Sequence, residues 1–284
     1  MQNHCYKLSK IATCDHPLLP VEATYILTMK DSERLRKLLE QSIISQLART
    51  TIVQINSGFK QCTKPGVSSP SKDLCHAYKN VFLRTTNMGM VLILEDDAMF
   101  DIPDINTHLR RVSDYTCKHN TFDIYSLGSF NLLMVPCSVY HRLSVVSYGS
   151  HAMIWTPYAR QKILHEIDSS CSKTVHIDML VQKHIRMHTY YRPIATQLLT
   201  TTENSSSWCI SCADSSSVDN AYRLLVRSTI KILGLDTATR PSWDILFGFP
   251  FGCVPLVMLV ILTAVYASVY AIRKHQNAGL ACAL

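Results

Sequence analysis

The sequence predicts an α/β domain with a mostly parallel sheet flanked by helices, followed by one transmembrane helix near the carboxyl end. Residues 23–94 alternate strand-like and helix-like apolar patterns. Residues 245–272 contain no Asp, Glu, Lys, Arg or His. Of 284 residues, 47% are apolar and only 9 are Gly, which excludes disordered, collagen-like and low-complexity chains.

The elements follow in order. Ala23-Thr-Tyr-Ile-Leu-Thr-Met29 reads as a buried strand. Residues 31–47 read as one helix, capped by Asp31 or Ser32, with Leu35, Leu38, Leu39 and Ile43 on one face. Residues 51–56 form a second strand, ended by Ser57-Gly58, and residues 59–72 are a loop rich in Pro, Gly and Ser. A second helix spans residues 73–85. Residues 89–94, Gly89-Met-Val-Leu-Ile-Leu94, are continuously apolar, as in a central strand covered on both faces. Further strands are expected at 121–127, ending at Gly128-Ser129, and at 150–156. A helix with Pro157 in its first turn follows, and another after Asp178.

The central strand runs directly into Glu95-Asp96-Asp97. Adjacent carboxylates repel one another, so placing them at a buried strand end requires a compensating cation, most often a divalent metal holding phosphate oxygens. A solvated acidic turn is the plainer alternative, and the apolar lead-in favours the metal. Ligands of open α/β sheets bind beyond the carboxyl ends of the strands, where this triplet lies. His184 and His188 stand four apart, a spacing that lets them share a helical face and add imidazole ligands, or form an ordinary surface pair. His76 and His151 are either lining residues of a binding site or structural histidines.

The formal charge, 28 − 21 = +7, is spread over the body: residues 1–200 hold 22 basic and 16 acidic side chains, and the rest 6 and 5. That distribution, without a basic arm or an aromatic-basic stripe, argues against a nucleic-acid partner and suits a small anionic ligand. The eleven cysteines are scattered and leave the compartment open; Cys209-Ile-Ser-Cys212 lacks the second pair that a zinc ribbon needs. Residues 1–200 form the folded body, 201–244 a Ser/Thr-rich linker and juxtamembrane helix carrying Arg223, Arg227 and Lys231, 245–272 the membrane span, and 273–284 a short tail. A bilayer core of roughly 30 Å needs about 20 apolar residues, and 251–272 supply them, with Trp243, Phe247, Tyr266 and Tyr270 toward the ends. The amino terminus has no signal-peptide pattern, which favours a tail anchor with a cytosolic body; Arg273 and Lys274 favour a cytosolic tail and hence a luminal body. The sequon Asn204-Ser-Ser206 bears on this only if the region is luminal.

Taken together, five blocks in this order resemble the glycosyltransferase family 25 group, which includes lipooligosaccharide and procollagen galactosyltransferases. They are Tyr25-Ile-Leu-Thr-Met-Lys-Asp-Ser-Glu-Arg34, Leu74-Cys-His76, Val91-Leu-Ile-Leu-Glu-Asp-Asp97, Asp123-Ile-Tyr-Ser-Leu-Gly128 and, later, Ser150-His-Ala-Met-Ile-Trp-Thr-Pro-Tyr-Ala159 with His176-Ile-Asp178. The resemblance covers residues 25–197 and implies a GT-A-like fold and an inverting transferase, which the span expected at 245–272 would anchor to a membrane. It implies transfer of a hexose, galactose or glucose, from a nucleotide sugar such as a UDP-hexose to a hydroxyl on a glycan, protein or lipid. It also implies Mn²⁺ or Mg²⁺ held by Asp97 with Glu95, and donor contacts from Thr28, Arg34, Glu95 and Asp96. Asp178 is then the candidate general base, with capping of its helix as the bland role. The residues at Leu27 and Leu74-Cys75 depart from the family's usual asparagine and serine, and motivate an alternative: a catalytically inactive membrane interaction protein of the same fold.

Overall fold

The computed structural model describes residues 4–119, 121–169 and 176–198. The linker, membrane span and tail expected over 201–284, with Asn204, Cys209 and Cys212, lie outside the described residues. Among the described residues, no helix is long and apolar enough to cross a membrane.

The described chain runs β1 (Tyr6–Thr13), β2 (Ala23–Met29), α1 (Glu33–Leu39), a 3-10 turn (Ser42–Gln46), β3 (Thr50–Asn56), α2 (Pro70–Arg84), β4 (Val91–Glu95) and β5 (Ala98–Met99). It continues through α3 (Ile105–Lys118), β6 (Ile124–Pro136), β7 (His141–Trp155), α4 (Pro157–Ser169), α5 (Ile177–His184), β8 (Met187–Tyr190) and β9 (Thr196–Gln197). A seven-stranded sheet has the order β1-β3-β2-β4-β7-β6-β8, and β5 pairs with β9 separately.

The sheet is mixed rather than mostly parallel. β3, β2 and β4 are parallel neighbours, as the strand-helix-strand alternation requires. β7 then joins β4 antiparallel, because β6 and β7 are arms of one hairpin closed by a short turn in which Cys137 N donates to His141 O. β1 adds an antiparallel edge on β3. That edge strand carried no apolar alternation, since Tyr6 is its one buried side chain, and Lys7 and Lys10 blunt its open rim. β6 continues beyond Leu127, and Gly128 lies inside it: a Cβ there would sit 2.0 Å from Ala195 O, so only glycine lets that backbone approach.

β4 explains the two-sided core. Leu92 and Leu94 pack with Leu38, Ile44, Leu109 and Val112 on one side, and Val91 and Ile93 with Tyr78, Phe82, Trp155 and Ile163 on the other. Each such side chain contributes about 1.5–3 kcal/mol when fully buried. The helix expected over 31–47 breaks after α1. Gln41 turns extended and its Oε1 accepts from Phe100 N at 2.7 Å, which commits it to the neighbouring chain and lets the 3-10 turn deliver Ile43 and Ile44 to the core. α2 begins earlier than expected, at Pro70, where Ser69 Oγ accepts from Lys72 N. Cys5 and Cys62 form a disulfide across 57 residues, a closure that the chain-entropy relation values at about 4 kcal/mol.

Arg160 ties α4 to the far end of α2. It is 2% exposed, and its guanidinium donates to the carbonyls of Gly89 (2.7 Å), Trp155 (3.0 Å), Thr85 (2.9 Å) and Met88 (2.6 Å). Replacing it removes a buried or part-buried donor from all four carbonyls, of which Thr85 O also accepts from Met88 N at 3.0 Å. We predict that Arg160→Met costs about 3 kcal/mol or more in urea unfolding and that Arg160→Lys recovers only part, because an ammonium cannot span four acceptors. A loss below about 1 kcal/mol for the Met variant would contradict this.

Two buried imidazoles set an acid limit. His141 meets Tyr125 OH at 2.7 Å and stacks 3.9 Å from Tyr115; burial, with the charges of His119, Arg142 and His188, lowers its pKa to about 3. Burial lowers that of His151 to about 4, against the bond to Ala195 O. Both values lie below the unfolded value near 6.5, so the unfolded chain binds more protons between them. The stabilisation is complete above the unfolded pKa and is lost as pH falls toward the folded values. The urea midpoint should therefore drop between pH 7 and pH 5, and the drop should be smaller in the double variant H141Q/H151Q.

Candidate active site at the carboxyl end of β4

The parallel strands β2, β3 and β4 end together; Glu95 is the last residue of β4, and Asp96 and Asp97 follow in the turn that leads to β5. Asp96 and Asp97 are 3% and 5% exposed. Asp96 Oδ2 accepts from Thr28 Oγ1 at 2.7 Å and Ser32 Oγ at 2.6 Å. Arg34 Nη2 meets Asp96 Oδ1 at 2.8 Å and Arg34 Nη1 meets Asp97 Oδ2 at 3.4 Å. Gln197 Nε2, from β9, donates to Asp97 Oδ2 at 3.0 Å, and Leu198 N donates to Asp97 O. Ser32 stands at the N-cap position of α1, yet its side chain makes no capping bond; the hydroxyl goes to Asp96 instead.

Glu95 lies on the other side. Its Oε1 accepts from Ser150 Oγ at 2.6 Å, and Tyr78 OH, whose one proton is shared with Ser150 O, lies at 3.2 Å. Asp178 belongs to this side: its charge acts on Glu95, Tyr78 and Cys75. It sits in the first turn of α5, and its Oδ2 accepts from Gly149 N at 3.3 Å, so the carboxylate braces β7 and does not cap its own helix.

Burial, followed by the charge of Asp97, holds the Glu95 carboxyl well above the ordinary carboxylate range. Burial likewise raises Asp97, against the opposing pull of Arg34 and Gln197. One guanidinium thus faces a triplet of carboxylates with a further acid close by. Asp97 Oδ1 is buried without a hydrogen-bond partner, a position costly for a carboxylate oxygen unless a cation meets it.

That orphaned oxygen fits a divalent cation, but the described residues alone do not enclose one. Among the described residues, the one group of three potential ligand atoms lying within 4.8 Å of one another is His4, Cys5 and Cys62, and the two cysteines there are disulfide-bonded. A cation at Asp97, with Glu95 beside it, would rest on one or two carboxylates and draw its remaining ligands from phosphate oxygens and water, as Mg²⁺ and Mn²⁺ sites do.

Thr28, Arg34, Asp96 and Asp97 are therefore joined directly, and Glu95 and Asp178 border them. The histidine expectations turn out differently. α5 stops at His184, which lies 3.5 Å from Glu166, while His188 is on β8 with its Nδ1 2.8 Å from Tyr115 OH, so the two share no helical face. Strand pairing prevails over helix continuation, since Asp123 and Arg186 bond through both backbone and side chain where β8 joins β6. His76 Nδ1 meets Tyr6 OH at 2.8 Å and His151 meets Ala195 O, which are structural contacts. Ser32, Tyr78, Ser150 and Gln197 are not among the site residues that the sequence suggests, Ser32 being expected only as a helix cap. Ser32 and Ser150 lie inside the blocks that carry the resemblance, Tyr78 lies on the second expected helix with no distinguishing pattern, and Gln197 gave no signal.

The chain matches no family model and no curated protein. Among solved structures it is similar to a glycosyltransferase involved in the glycosylation of the major capsid of PBCV-1, with a TM-score of 0.32 and 10% identity over 51% of this chain and 66% of that one.

Proposed function

We propose that the chain is a metal-dependent glycosyltransferase that moves a hexose, galactose or glucose, from a UDP-type nucleotide sugar to a hydroxyl acceptor with inversion. What supports this reading above all is the partnerless, buried Asp97 Oδ1 beside Arg34-bound carboxylates at the carboxyl end of the parallel strands. Asp97, with Glu95, would hold Mn²⁺ or Mg²⁺, and the bound cation would lend positive charge to the departing nucleoside diphosphate.

The chain's own groups have distinct tasks. Arg34 holds Asp96 and Asp97 in register and keeps a positive charge where an anionic donor enters. Thr28 and Ser32 fix one oxygen of Asp96, so its carboxylate presents a constant acceptor to donor hydroxyls. Asp178, anchored through Gly149, takes the proton of the acceptor hydroxyl as that oxygen attacks the anomeric carbon from the face opposite the leaving diphosphate. The membrane anchor proposed from residues 245–272 would keep the site near a surface carrying its acceptor.

One observation favours a second reading, a membrane interaction protein that retains the fold without catalysis: Arg34 already engages the Asp97 oxygen opposite the orphaned one. Turnover separates the two. Full-length protein in detergent should release UDP from UDP-hexose with Mn²⁺, and EDTA should abolish this until Mn²⁺ is restored. Asp97→Asn should lose at least about 100-fold, and Asp178→Asn about 10²–10⁴-fold in kcat with a smaller change in donor KM. Wild-type rates in Asp97→Asn, or no UDP-sugar turnover in folded protein with any divalent metal, would overturn the glycosyltransferase reading.

A further inference from the structure

The loop between β3 and α2, which leaves the carboxyl end of β3, is fastened at three points. Cys62, 8% exposed, is bonded to Cys5, 1% exposed, at the start of the edge strand. Lys64, 4% exposed, points inward: its Nζ donates to Asn56 Oδ1 at 2.5 Å, forms an ion pair with Asp73, and lies 4.9 Å over the Tyr6 ring. Asp73 Oδ2 accepts from Asn56 Nδ2 at 3.0 Å and from Phe59 N at 3.2 Å. Asp73 lies in the first turn of α2, and five residues further along the same helix Tyr78 reaches Glu95 and Ser150. The disulfide is thus linked through the loop to the buried ion pair, and the ion pair through the backbone of α2 to the phenol that meets Glu95.

This arrangement has one weak link. A buried ammonium and carboxylate are tolerable only while held together, and separating them exposes each to an uncompensated charge. Without the covalent bond, the loop is held by non-covalent contacts alone, namely that pair with its hydrogen bonds, the Lys64–Tyr6 ring contact and the packing of the two sulfurs in the core, so its opening would be a local event that spares the rest of the sheet.

We propose that the Cys5–Cys62 disulfide is a redox latch on the candidate active site: a dithiol reductant opens it, frees the Lys64 loop, and loosens the α2 turn that positions Tyr78 against Glu95. The functional consequence rests on the reading of the β4 end as a donor site; the conformational one does not. A reductant thiolate attacks Cys62 Sγ and expels Cys5 as a thiolate, which takes up a proton. The reductant's second thiol then displaces Cys62, so the protein gains two thiols and the reductant leaves as its own disulfide.

The test compares oxidised full-length protein in detergent with the same protein after dithiothreitol, and with the double variant C5S/C62S, which reproduces the open state without reductant. Hydrogen exchange over residues 57–76 should quicken by about tenfold or more, and N-ethylmaleimide should label the buried Cys75 faster by a similar factor, while β4 and α4 keep their protection. Donor KM should rise at least about fivefold in the open forms, and Cys14→Ser should respond to reductant as wild type does. Equal exchange and equal Cys75 labelling in oxidised and reduced protein would overturn the latch. So would a loss of protection spread evenly over β4 and α4, which marks a global staple. Absence of turnover in every form sinks the glycosyltransferase reading instead, and exchange and labelling then decide the latch by themselves.

Discussion

Arg34 is the cation on which the carboxyl end of β4 depends. Two carboxylates about 4 Å apart repel by about 4 kcal/mol at the effective dielectric of a protein surface, and more where water is excluded. Here Glu95, Asp96 and Asp97 follow one another at the end of a strand whose four preceding side chains are buried. A guanidinium that meets Asp96 and Asp97 at once relieves part of that repulsion, and its planar fork suits the task as an ammonium would not. The relief is incomplete by construction. Burial still raises Glu95 and Asp97, and Asp97 Oδ1 still lacks a partner, so Arg34 offsets only part of the cost of gathering these carboxylates.

The surrounding fold serves this cluster by bringing residues from separate elements to one rim. Thr28 arrives at the end of β2, Ser32 and Arg34 at the start of α1, Tyr78 from α2, Ser150 and Gly149 from β7, Asp178 from α5 and Gln197 from β9. Parallel β2, β3 and β4 make this possible, since their carboxyl ends coincide and the helices that follow begin there. The antiparallel β6–β7 hairpin contributes differently: it lays Ser150 beside Glu95 because β7 runs back along β4.

What sequence could reveal follows from the range of each interaction. The continuous apolar run of β4 and the acids after it are local, so the central strand and its carboxylates were legible. Thr28, Arg34 and Asp178 stood within blocks that resemble a known family and were legible on that account. Gln197 meets Asp97 across 100 residues, and no local pattern announces such a contact. Ser32 was legible as a cap position but not as a donor to Asp96, because the competition between helix backbone and distant carboxylate is settled only in the folded chain. The His184/His188 spacing misled for a related reason: a four-residue interval signifies a shared face only if the helix continues, and pairing of β8 with β6 ends it.

The central claim is that the β4 rim binds a divalent cation together with a nucleoside diphosphate. Electron paramagnetic resonance of Mn²⁺ titrated against full-length protein in detergent, with and without UDP, tests it most directly. The account predicts about one protein-bound Mn²⁺ per chain in the presence of UDP, lost in Asp97→Asn and retained in Arg160→Lys. A spectrum that stays that of free or merely UDP-bound Mn²⁺ when folded wild-type protein is added would contradict it.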